Sequence, residues 1–89
     1  MNNKQRKTLS AIFEEPARAN IDWNDIENLL SALGAEISEG RGSRLRVSLN
    51  GARAVFHRPH PRKEAGKLIV RSVCRFLQEA GIEAQGDEK

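Results

Sequence analysis

The sequence contains no CxxC, no HExxH, no Walker loop and no dinucleotide-type glycine pattern, so neither a metal nor a nucleotide has a motif to hold it. No cofactor is expected. The one cysteine, Cys74, cannot staple the fold internally and points to a reducing compartment, the cytoplasm. No apolar run is long enough to span a membrane, and the opening MNNKQRKTLS is too polar for a signal peptide. No internal repeat is visible. The 89 residues make one domain with a single two-layer core.

A further absence organises the rest. Between Gly40 and Lys63 there is no acidic residue, while seven basic ones fall there: Arg41, Arg44, Arg46, Arg53, Arg58, Arg62 and Lys63. The whole chain holds 15 Lys+Arg and 12 Asp+Glu, so its formal net charge of +3 is +7 in that stretch and −4 elsewhere. Charge polarised in this way suits a polyanion, and RNA or DNA is the commonest.

The same stretch reads as a β-hairpin. Asn50-Gly51 suits a type I′ turn, which needs positive φ at both central positions. A two-residue turn opposes Leu49 to Ala52, Val47 to Ala54 and Leu45 to Phe56, all on one side. The other side pairs Ser48 with Arg53, Arg46 with Val55 and Arg44 with His57. One face is then an apolar floor for helices. The other is basic and open to solvent, and a face without carboxylates reads as a binding surface rather than a merely solvated one.

Around the hairpin the periodicity predicts helices. Asn3 to Glu15 carries Leu9, Ile12 and Phe13 at helical spacing, and Pro16 ends it. Its thin apolar strip packs either on the domain's own helices or on a partner. Ala17 to Ile21 reads as a linker. Asp22 is a good N-cap for a helix whose stripe is Trp23, Ile26, Leu29, Leu30 and Leu33, with Gly34 as its left-handed end. Trp23 lies on that stripe and is a core anchor rather than a base-stacking platform. Ala35 to Glu39 is a short strand with Ile37 turned inward, and Gly40-Arg41-Gly42 connects it to the hairpin. His57-Arg58-Pro59-His60-Pro61 is extended and exposed, because two prolines prevent helix. The arginines around His57 favour its neutral imidazole, the form a general base needs. Leu68 to Ala80 is the last helix, buried through Ile69, Val73, Phe76, Leu77 and Ala80. Cys74 sits one position off that stripe and is partly packed rather than reactive.

The fold class is therefore α+β. Its core is α-β-β-β-α, a three-stranded antiparallel sheet with helices on one face, plus an extra N-terminal helix. That is the layout of the double-stranded-RNA-binding domain.

Several residues in order then give a family likeness. An amphipathic helix ends in Leu33-Gly34-Ala35, and Gly42-Ser43 opens the second strand. After the Asn-Gly turn, a basic strand runs into His60-Pro61-Arg62-Lys63-Glu64, and a last helix ends in Glu79-Ala80-Gly81-Ile82. From Trp23 to Ile82 the chain resembles the HicA toxins of bacterial type II toxin–antitoxin pairs; Met1 to Ile21 is additional. The chain then divides into a helix and linker over residues 1–21, a HicA-like domain over 22–82 and a disordered tail over 83–89. The resemblance implies an mRNA interferase that cleaves mRNA without a metal and is neutralised by a HicB-type antitoxin covering its active site. It also implies a catalytic histidine just after Gly-Ser, a position that Arg44 occupies here.

Three accounts follow. His57, opposite Arg44, transfers the proton while Arg44 and Arg46 stabilise charge on the phosphate. Alternatively His60, on the His-Pro segment, serves. Or the protein binds RNA without cutting it. Arg41, Arg46, Arg53, Arg58, Arg62 and Lys63 are the expected RNA contacts. The basic face also suits an acidic antitoxin.

Overall fold

The computed structural model describes residues 1–59 and 62–83. Its elements follow in the order α1 (Asn3–Ile12), β1 (Ile21–Asp22), α2 (Trp23–Ala32), β2 (Glu36–Glu39), β3 (Arg44–Leu49), β4 (Ala52–His57), β5 (Glu64–Ala65) and α3 (Lys67–Glu79). Strands β2, β3 and β4 form an antiparallel sheet in that spatial order. The α-β-β-β-α arrangement with an added N-terminal helix is as expected.

The hairpin has the expected register at every position, from Leu49 opposite Ala52 to Arg44 opposite His57. Its turn puts Asn50 at φ 52 and Gly51 at φ 87, the left-handed pair that the type I′ geometry demands. The floor is built as the alternation predicts: Leu45, Val47, Leu49 and Phe56 are buried, with Ala52 and Ala54 half-buried.

The helices cover that floor. Asp22 caps α2 by accepting the Asn24 amide at 2.8 Å. At the other end Gly34, at φ 95, lets the Ala35 amide reach back to the Leu30 carbonyl at 3.0 Å. Such a closure needs a left-handed residue after the last turn, which is why glycine ends the helix. Phe56 stands between the two main helices. Its ring meets Trp23 edge-on at 6.0 Å and Phe76 at 5.9 Å, so one strand residue joins α2 to α3. Trp23 is 3% exposed, a core anchor.

Three details differ from the sequence reading. First, α1 ends at Ile12 rather than Glu15, because the two acids before Pro16 oppose the dipole and proline restrains the residue before it. At its start Asn2 and Gln5 form a reciprocal capping box, at 2.8 and 3.0 Å. Leu9 and Ile12 are buried in the common core, so the strip packs on α2 and α3 within the chain. Second, the supposed linker contains a strand: Ile21 and Asp22 pair with Ala65 and Glu64 in a two-stranded ribbon. Third, the buried stripe of α3 is Val70, Val73, Phe76 and Leu77, while Ile69 is only half-buried. The polar tail expected from Glu83 falls, from residue 84 on, outside the described residues.

Candidate nucleic-acid interface

Strand alternation decides what the outer side of the sheet presents. Arg44, Arg46 and Ser48 alternate with the buried residues of β3, and Arg53, Val55 and His57 with those of β4. The register sets Arg44 beside His57, Arg46 beside Val55 and Ser48 beside Arg53. The three arginines and the histidine are exposed. Arg46, Ser48, Arg53 and Val55 line an open trough whose far bank is Ser38 and Glu36 of β2. Opposed side chains in such a ladder stand about 5 Å apart at Cβ, so one phosphate can touch the groups of two strands.

Arg58 lies elsewhere, by the same alternation. It is two residues past Phe56 and so faces the helix side. Its Nε donates to Glu27 Oε2 at 2.8 Å and its Nη2 to Glu39 Oε2 at 3.3 Å. The hydrogen bond to Glu27 holds this guanidinium above arginine's ordinary range; partial burial opposes it, and the Glu27 charge and Glu39 add to it. The Trp23 indole N–H donates to the same Glu27 oxygen. An arginine counted among the polyanion contacts is thus tied to two carboxylates, and the tie fixes the backbone directly after His57. The alternation of β4, continued one residue past His57, places Arg58 under the sheet with Ala52, Ala54 and Phe56.

The remaining basic residues are spread more widely. Arg41 is exposed in the turn before β3, where its carbonyl accepts the Arg44 amide at 3.2 Å. Arg62 and Lys63 are exposed beside β5, and the Lys63 carbonyl accepts the Trp23 amide at 2.7 Å. That bond sets Lys63 at the start of α2 rather than on β3 and β4. His60 lies outside the described residues. Burial pushes the Cys74 thiol up, and the Glu15 charge adds to it, so the thiol is a poor nucleophile at neutral pH. Among the described residues no three His, Cys, Asp or Glu side chains are grouped so as to hold a metal ion. Nor is any helix among them long and apolar enough to cross a membrane.

A small antiparallel sheet with helices against one face, and arginines with a histidine on the other, makes this an α+β domain with one basic, exposed sheet face. The family model described as the HicA toxin of bacterial toxin-antitoxin matches residues 23–82, and the chain belongs to that family. It is 36% identical over 55 residues to the "Probable mRNA interferase HicA" of Pseudomonas fluorescens (strain Pf0-1), covering 62% of this chain and 90% of that relative. No solved structure gives a significant match. The matched segment begins at Trp23, so α1 and β1 lie outside it although both contribute to the core.

Proposed function

We propose that this toxin binds mRNA on the outer face of β3 and β4 and cleaves it without a metal, in the cytoplasm, until a HicB-type antitoxin covers that face. The observation that carries the reading is the exposed pairing of His57 with Arg44, on the same sheet face as Arg46 and Arg53. The name of the Pseudomonas relative supports RNA as substrate.

The chemistry follows from the residue types. The His57 imidazole takes the proton of a ribose 2′-hydroxyl. The freed oxygen attacks the adjacent phosphorus, and a 2′,3′-cyclic phosphate forms as the bond to the 5′-oxygen breaks. The departing oxygen takes a proton from the imidazolium, which returns to its neutral form. Arg44 and Arg46 stabilise the negative charge that builds on the phosphoryl oxygens, where Arg44 stands in place of the family's histidine.

The test is cleavage of a purified RNA in EDTA. Wild type yields ends with cyclic phosphate, and His57→Ala loses about 10²–10⁴-fold in rate. Cleavage by the alanine variant at the wild-type rate overturns the assignment of His57. Binding without cleavage by wild type selects the second reading, an RNA-binding module without chemistry, which the arginine at position 44 favours.

A further inference from the structure

The sheet has two edges, and they differ. The β2 edge is only four residues long and carries Glu36 and Glu39. Short, charged edges are how natural sheets discourage further pairing. The β4 edge has six residues, no proline, and Val55 at its centre with 54% of its surface exposed.

Backbone parity shows what that edge offers. The Arg58 amide donates to the Ser43 carbonyl at 2.9 Å, continuing the β3–β4 ladder. In an antiparallel pair such bonds recur at every second residue, so Ala52, Ala54 and Phe56 turn their backbone groups toward β3. Arg53, Val55 and His57 then turn theirs toward the open edge, and among the described residues no hydrogen bond reaches them. A groove runs along this edge between β4 and α3. Val55, Leu68, Ser72 and Phe76 line it, with Arg71 and Arg75 one turn apart on its helical wall and Glu79 one turn further, so the wall carries two positive charges against one negative. Leu68 is 77% exposed, the most exposed large apolar side chain described.

We propose that an extended acidic segment of the antitoxin adds to β4 as a fourth strand, an inference that rests on the toxin reading for the identity of its partner. Three unpaired backbone sites require a strand rather than a helix. Its inward side chains meet Leu68 with an apolar group, and Arg71 and Arg75 with carboxylates. Its outward side chains stand next to Arg53, Val55 and His57, because those residues carry both the free backbone groups and the outward side chains. Carboxylates there neutralise the basic face from its margin, so docking on the edge also silences the surface.

The experiment is amide hydrogen exchange on the full chain, alone and with a HicB-type antitoxin co-produced with it. The amides of Arg53, Val55 and His57 exchange quickly in the free toxin and slow at least about tenfold in the complex. Val55→Pro removes one outward donor and leaves the β3 ladder intact, so it weakens the complex about tenfold. Arg71→Glu with Arg75→Glu weakens it at least as much, and serves should the proline variant misfold. A complex in which the three amides stay fast overturns the inference and leaves the toxin reading standing. No complex at all overturns both. Concentration-dependent slowing in the toxin alone gives the edge to a second copy, and slowing by an RNA oligonucleotide gives it to nucleic acid; either overturns the inference.

Discussion

The hairpin is fastened differently at its two ends. At the tip, the turn conformation is local, and the Asn50 side-chain amide donates to the Ala80 carbonyl at 2.9 Å, at the end of α3. At the open end, Arg58 joins Glu27 of α2 and Glu39 of β2, with side chains 35%, 22% and 71% exposed. The first fastening is conformational and neutral. The second is electrostatic, partly solvated, and adjacent to His57. The half of the ribbon nearest the proposed chemistry is therefore the half that ions can loosen.

The largest effect breaks the comparison by removing what both ends share. Phe56→Ala takes away the ring between Trp23 and Phe76 and costs about 3–5 kcal/mol, read in a denaturant melt. Smaller effects separate the ends. Asn50→Ala loses both a residue suited to positive φ and the bond to Ala80, about 1–2 kcal/mol, with no dependence on salt. Glu27→Gln weakens the open end, and its penalty shrinks as salt rises, because screening has already weakened the wild-type pair. Exchange at the Arg58 amide reports that loss, while exchange at the tip stays unchanged. The smallest expected effect is alkaline. The Arg58 guanidinium lies above arginine's ordinary range in the folded state, so its contribution is complete below that range and fades only beyond it. Raising the pH to about 10 therefore leaves this clasp closed. RNA affinity gives a separate measure of the face: with three arginines in contact, log affinity falls with log salt at a slope of about −2.

The sequence carried the tip and not the clasp, for a physical reason. Asn50-Gly51 sets the register by local preference, and one register places every floor residue and every outer arginine at once. Glu27 lies 31 residues before Arg58, and no periodicity links them. Charge summed along 40–63 includes Arg58, which strand parity turns toward Glu27 and Glu39 instead. The β1–β5 ribbon was equally hidden, since two-residue strands have no pattern to read. The capping box of α1 is written in Asn2 and Gln5, three apart, ahead of the apolar strip. The pairing of His57 with Arg44 was legible, because the two-residue turn alone sets it.

The N-terminal helix lies outside the segment matched by the family model, yet Leu9 and Ile12 are no more than 2% exposed. A gene trimmed to the matched boundary would uncover greasy side chains of α2 and α3 and yield a sticky, short-lived product. The unit that folds therefore includes α1, and the shared segment alone is less than that unit.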